Sequence, residues 1–282
     1  MSLINGITIE EIRKIFPNNR IKRNYLEILS NFIALDLENL HTSDFDDVII
    51  ETWEYNLSKQ VLRELFTTSE KYDKNRDSGE RIVALMNEWY DLELGEFDWP
   101  FQPNMFDQHV HSLNRRQLSE RQKDDMVAID AIKYRRIKDI NAQRNDYIEY
   151  LIFRNNANVI PTFANRRGVD FYINGEPFDQ KVSRSVGRNF ITEYGENYRE
   201  IAISRPDLVA KCLYEYQDEA RFGCEPRLLV VYLDSDLEIE DIEDSLAEVD
   251  FDNPININFE YRHSDGRTLI YETYCYIVLL HR

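Results

Sequence analysis

The chain has 282 residues, and its 52 acidic and 34 basic side chains give a net charge of −18 at pH 7. Apolar residues make up 43% of it, which is enough to build a hydrophobic core and excludes a wholly disordered chain. No stretch approaches about 18 uncharged apolar residues, so no membrane-spanning helix is predicted. The three scattered cysteines and the charged N-terminal residues predict a cytoplasmic protein without a disulfide framework or a signal peptide.

Most of the first third of the chain is predicted to be helical, because apolar residues recur there at three-to-four spacing. A capping box formed by Thr8 and Glu11 opens the first helix. The proline-rich segment Trp99–Asn104 is predicted to be a boundary loop. It separates a helical N-terminal region, 1–98, that would serve target recognition or dimerisation, from a core with its leading helix, 105–282. The periodic segments of the N-terminal region are Tyr25–Leu40, Val48–Phe66 and Arg81–Leu94.

Strands are predicted only in the second half of the chain. A helix over Ser119–Ile140 precedes them, and Asp146–Phe153 continues or restarts it. A further helix is predicted from Ser204, as its cap, to about Arg221, and a short acidic one over Ile239–Val249. The predicted fold class is α/β (α+β), with a mixed central sheet, flanking helices and the helical region in front. The predicted strands are Asn158–Phe163, Val169–Ile173, Phe178–Val182, Leu228–Leu233, Ile255–Tyr261 and Thr268–Leu280.

The segment around Asn174-Gly175 predicts a tight β-hairpin, since Asn-Gly is the strongest short hairpin signal. A two-residue turn there places Asp170 opposite Asp179, with Lys181 on the same face. The other face carries Val169, Phe171, Ile173, Phe178 and Val182 and is predicted to be buried.

The polar face of this hairpin is suited to metal-assisted hydrolysis. Two opposed carboxylates, here Asp170 and Asp179, repel each other unless a cation lies between them. Mg²⁺ binds carboxylate oxygens and water, and the backbone carbonyl of Gln180 could join them. Lys181 could hold or activate a water or stabilise a charged transition state. The alternative interpretation is a surface hairpin whose charges are solvated.

Asp170 followed by Asp179-Gln180-Lys181 resembles the motif of the PD-(D/E)xK nuclease superfamily, the fold of many type II restriction endonucleases. The family core runs helix, three strands, helix, strand, an order predicted here from Asp146 to Leu233. The sequence departs from the motif's name in that Val169 precedes the first Asp and Asp179 stands where Glu is an alternative.

The resemblance implies a Mg²⁺-dependent endodeoxyribonuclease, with Mn²⁺ as a possible substitute. Asp170, Asp179 and the Gln180 carbonyl would bind the metal, and Lys181 would orient or activate the attacking water. Glu149 matches the acidic residue that the family often carries on the preceding helix, and Asp146 is the alternative. Many such enzymes are homodimers that cut double-stranded DNA.

Basic side chains near the motif could contact DNA phosphates or guanine edges. Five residues are candidates: Ser183, Arg184, Arg188, Arg166 and Arg167. The near-neutral charge of residues 101–200, with 16 basic and 14 acidic side chains, agrees with such a surface in an otherwise acidic chain. The cluster of Asp107, His109 and His111 could be metal ligands, but scattered polar loop residues are favoured.

Two other functions are compatible with the sequence. The first is a phage-defence or repair nuclease of the same superfamily. The second is a non-catalytic acidic binding or inhibitory protein on the same fold, which the acidic termini favour and the intact Asp170, Asp179 and Lys181 set opposes.

Overall fold

A computed structural model describes residues 2–92, 103–163, 169–217, 222–234 and 237–282. The described residues fold into helices and one mixed sheet, so the predicted α+β class is confirmed. No helix in these ranges is long and apolar enough to cross a membrane. The α-helices are α1 (Ile9–Ile15), α2 (Asn19–Leu29), α3 (Phe45–Glu51), α4 (Tyr55–Thr67), α5 (Glu70–Arg76), α6 (Gly79–Asp91), α7 (Pro103–Arg115), α8 (Glu120–Asn155), α9 (Arg188–Tyr194), α10 (Tyr198–Ser204), α11 (Pro206–Glu215) and α12 (Ile239–Ala247).

The sheet has six strands in the order β1-β2-β3-β4-β6-β5. The pairs β1/β2, β2/β3 and β5/β6 are antiparallel, whereas β3/β4 and β4/β6 are parallel. Every residue of β4 is buried, as its continuous apolar sequence predicts for a strand covered on both faces. The strands are β1 (Val159–Pro161), β2 (Phe171–Ile173), β3 (Glu176–Ser183), β4 (Arg227–Tyr232), β5 (Ile255–Arg262) and β6 (Thr268–Leu280).

The chain divides into two compact units, residues 1–77 with 148–282, and residues 78–147. These limits differ from the predicted regions 1–98 and 105–282. The first four helices belong with the sheet because they share a hydrophobic core with β1 and β2, in which Tyr25 and Leu62 pack with Ile160 and Tyr172. The predicted boundary loop lies mostly outside the described residues, and α7 begins at Pro103.

The second unit, residues 78–147, contains α6, α7 and the first part of α8. The segment of Asp107, His109 and His111 lies in α7, so the expected loop is wrong there. In a helix, Asp107 and His111 are four residues apart and share a face, whereas His109 points to the other side of the axis. His109 is buried, and its Nε2 lies 2.7 Å from Oδ2 of Asp130. This part of α7 is therefore occupied by a helix-to-helix contact.

Several local predictions are confirmed by the hydrogen bonds at helix ends. Thr8 and Glu11 form the predicted capping box of α1. Ser119 accepts a bond from the Gln122 backbone N–H at the start of α8, and α8 then continues through the predicted second segment to Asn155. The predicted cap Ser204 is wrong, because Ser204 ends α10 and its hydroxyl donates to the Glu200 carbonyl. Arg205 is the cap of α11, with Pro206 in the first turn.

The β2/β3 hairpin has the predicted turn and register. Asn174 and Gly175 have φ values of 51° and 82°, as a type I′ turn requires. The ladder pairs Phe171 with Phe178 and Ile173 with Glu176. Both phenylalanines and Ile173 are buried, as predicted for the core face.

Replacing Gly175 by alanine is expected to destabilise the protein more than the same change at Gly266. Both glycines have positive φ, which costs an L-residue about 1–2 kcal/mol. A Cβ at Gly175 would also lie 2.8 Å from Ile4 Cγ1, whereas Gly266 has no atom within 4 Å of that position. Because Ile4 is 56% exposed and can shift, we expect this contact to add about 1 kcal/mol, the lower end of what overpacking costs in a core. Urea denaturation of Gly175→Ala and Gly266→Ala measures the difference, and equal losses would contradict the close contact.

Candidate active site

The candidate site lies in a gap between two hydrophobic clusters on one face of the sheet. On this face the N-terminal helices pack on Ile160 and Tyr172, in β1 and β2. Helices α9 to α11 pack on Leu229 of β4 and its neighbours in β5 and β6. The register places Asp179 and Lys181 of β3 on the same face, between the two clusters. Two charged side chains of a central strand therefore lie between two hydrophobic clusters.

The position of Asp170 differs from the one predicted from the register of the hairpin. Asp170 does not form a ladder pair with Asp179, because its N–H donates to the Phe178 carbonyl at 2.8 Å. After Phe178, β3 has no ladder pair with β2, while its opposite edge pairs with β4 and the Asp179 N–H donates to Pro226 O at 3.2 Å. The Asp170 carboxylate fills the resulting opening and accepts a 2.7 Å bond from the Gln180 N–H.

This bond also indicates where the Gln180 carbonyl points. In a strand, the N–H and C=O of one residue point to the same side. The Gln180 N–H faces Asp170, so its carbonyl faces the same opening and is available to a cation beside that carboxylate. The side chain of Gln180 lies on the opposite face of β3 and is buried.

The charges of this cluster interact strongly. Lys181 Nζ lies 2.5 Å from Asp179 Oδ2, and the two side chains are 53% and 16% exposed. The pKa of Asp170 is raised, chiefly because burial disfavours the charged form and also because Asp179 repels it. The Gln180 N–H, Lys181 and Lys71 oppose this rise. A raised pKa next to a second carboxylate is typical of a functional site.

Glu149 lies on the last turns of α8 and forms an ion pair with Lys71 of α5. Both side chains are largely shielded, at 15% and 28% exposure respectively. Lys71 is also one of the cations that oppose the rise in the pKa of Asp170. Asp146, the alternative to Glu149, falls in the other compact unit.

The candidate DNA contacts follow the motif along the chain. Ser183 ends β3, and its hydroxyl donates to the Ser185 carbonyl at 2.6 Å. Arg184 is exposed in the short segment after β3, and Arg188 is exposed at the first turn of α9. Arg166 and Arg167 lie outside the described residues.

Two residues of the site were not identified from the sequence. Arg227 faces Asp179 across the β3/β4 ladder and is buried, with its guanidinium 4.9 Å from the centre of the Tyr214 ring. An arginine at the start of an apolar strand is a signal that could have marked it. Lys71 has no such signal, because it is 78 positions away from Glu149.

The candidate metal ligands suit Mg²⁺ better than a metal that is bound by protein side chains alone. Within the described ranges, no three His, Cys, Asp or Glu side chains are grouped to hold a metal. Mg²⁺ does not need such a group, because it is commonly bound by one or two carboxylates, waters and substrate phosphates. Asp170, Asp179 and the Gln180 carbonyl can supply that donor set.

Comparison with protein-family models, with curated proteins and with solved structures gives no match.

Proposed function

We propose that the protein is a Mg²⁺-dependent endodeoxyribonuclease of the PD-(D/E)xK kind that cuts double-stranded DNA at specific sites. The observation that carries this proposal is the Asp170 carboxylate, held by the Gln180 N–H beside the Asp179–Lys181 pair. The element order α8, β1 to β3, α9 to α11, β4 agrees with the order that the resemblance implies.

Each side chain has a role that its position supports. Asp170, Asp179 and the Gln180 carbonyl would hold Mg²⁺, which when bound supplies Lewis-acid stabilisation of negative charge on the phosphodiester. Lys181, the more exposed partner of its ion pair, can turn toward a water or the phosphate. Glu149 would accept a hydrogen bond from a water at the same site. Ser183, Arg184 and Arg188 would contact the DNA backbone.

The overall acidity of the chain is compatible with a DNA substrate only if the DNA approaches one face. Arg184 and Arg188, which follow β3 in the chain, are exposed and supply basic side chains for such a face. Cutting both strands suits a two-fold symmetric homodimer, which is part of the proposal.

Incubation with phage λ DNA and Mg²⁺ tests the proposal. We expect discrete fragments from the parent protein and none from Asp179→Asn, which keeps the shape of the side chain and removes its charge. Glu176→Gln, on the same strand near the turn, is the matched control and should cut like the parent. Fragments from Asp179→Asn would contradict the site, and a smear from the parent would favour a nuclease without sequence specificity. Absence of cutting by the parent with either Mg²⁺ or Mn²⁺ would favour a binding protein.

A further inference from the structure

Helix α5 of the N-terminal region is fixed against the end of α8 that carries Glu149. The Tyr72 ring lies 5.2 Å from that of Tyr150 and 6.0 Å from that of Phe153, both edge to face. Lys71, next to Tyr72, forms its ion pair with Glu149 in the same contact. Inside α5, the Asn75 amide donates to the Lys71 carbonyl at 2.8 Å. Lys71 therefore lies on a helical turn that packs on α8 through Tyr72 and is stabilised within α5 by the Asn75 amide.

The Lys71–Glu149 pair differs from the exposed ion pairs of this protein. Exposed pairs contribute little because water screens them and their side chains lose entropy. Here both groups are largely shielded from solvent, at 28% exposure for Lys71 and 15% for Glu149. Without Lys71, the Glu149 carboxylate would lose its ion-pair partner on α5, and that contact would no longer fix its orientation.

We propose that Lys71 is a positioning residue of the active site, which holds the Glu149 carboxylate in place from helix α5. This inference rests on the proposed nuclease function. It makes the N-terminal region part of the catalytic centre, because one of its helices sets the orientation of a side chain on α8. Residues that orient a metal-site carboxylate typically change affinity or activity by about 10–100-fold when removed.

Single-turnover cleavage of λ DNA with Mg²⁺ measures the effect. We expect Lys71→Met to lower the rate constant about 10–100-fold, with KM for DNA changed by less than about twofold, since binding is untouched. Lys71→Arg keeps the charge and should restore most of the rate. Lys74→Met is the matched control, because Lys74 is an exposed lysine on the same helix, and it should cut like the parent.

A double-mutant cycle separates positioning from a general structural effect. If Lys71 acts through Glu149, Lys71→Met should have no further effect in the Glu149→Gln protein. An additive loss, or a rate for Lys71→Met equal to that for Lys74→Met, would overturn the inference while leaving the nuclease function intact. The inference would also be overturned if Lys71→Met lowered both the Tm and the cleavage rate and Lys71→Arg failed to restore the rate. Failure of the parent protein to cut DNA would instead overturn the proposed function, and the inference with it.

Discussion

Replacing Asp170 by asparagine is expected to give a protein that is more stable at neutral pH and inactive as a nuclease. The carboxylate is partly buried and lies close to Asp179, and both features raise its pKa. The folded state therefore disfavours the charged form that metal binding requires. Asparagine removes that charge and can still accept the bond from the Gln180 N–H through its amide oxygen.

The pH dependence of this stabilisation has a definite sign. For a carboxyl whose pKa is higher in the folded state, the folded state binds more protons, so stability falls as pH rises through the window between the two pKa values. The penalty is fully present above the folded pKa of Asp170 and absent below its unfolded pKa, about 3.9. Asp170→Asn should therefore gain stability over the parent at pH 7 and lose that advantage in acid.

Thermal unfolding and cleavage together test this prediction. The gain at pH 7 should be about 0.5–2 kcal/mol, the usual range for a single stabilising change. Cleavage with Mg²⁺ should fall by more than about 100-fold, since residues that only orient a metal ligand already cost about 10–100-fold. Asp252→Asn, at an exposed aspartate, is the control and should change neither quantity. A less stable Asp170→Asn protein at pH 7 would contradict the electrostatic interpretation.

The parts of the site that could be predicted from the sequence are those set by neighbours in the chain. The Asn174-Gly175 turn and strict alternation fix the register from Phe171 to Phe178, and both are confirmed. Tyr172 shares the face of Asp179, yet it is buried, because N-terminal helices far away in sequence cover that end of the hairpin. Alternation gives the face of a side chain but not what covers it.

Long-range and very short features could not be predicted. Asp170 departs from the ladder where β3 loses its pairing with β2 after Phe178, and no local sequence pattern reports this. Helices α9 and α10 have seven residues each, too few for a periodic apolar pattern to stand out. The Lys71–Glu149 pair joins two elements whose contact exists only in the folded chain.

Arg63 of α4 ties the N-terminal helices to the end of α8 and the start of β1. Its guanidinium donates to the carbonyls of Asn156, Val159 and Phe153 at 2.8, 2.6 and 3.1 Å. It also stacks on the Phe153 ring at 4.1 Å. The last carbonyls of a helix have no partner within the helix, so Arg63 satisfies the buried Phe153 carbonyl at the end of α8 and the buried Val159 carbonyl in β1.

Arg63→Met is therefore expected to destabilise the protein by about 2–4 kcal/mol, because hydrogen bonds from a charged group are lost and buried carbonyls remain unpaired. Lys59→Met, one turn earlier on α4, is the matched control. Lys59 makes a single 3.2 Å bond to Asn158 Oδ1, and its loss should cost no more than about 1 kcal/mol. Urea denaturation followed by circular dichroism measures both, and equal losses would contradict the role given to Arg63.

The urea unfolding curve of the Arg63→Met protein also shows whether the N-terminal helices unfold together with the sheet. Residues 1–77 and 148–282 form one compact unit, so a single cooperative transition shifted to lower urea is expected. Two separate transitions would instead mean that the N-terminal region unfolds on its own. Because α5 directly follows α4, a region that opens separately would also withdraw Lys71 from Glu149. Cleavage by Arg63→Met should then fail at urea concentrations where the sheet is still folded, whereas cooperative unfolding predicts that activity and sheet structure are lost together.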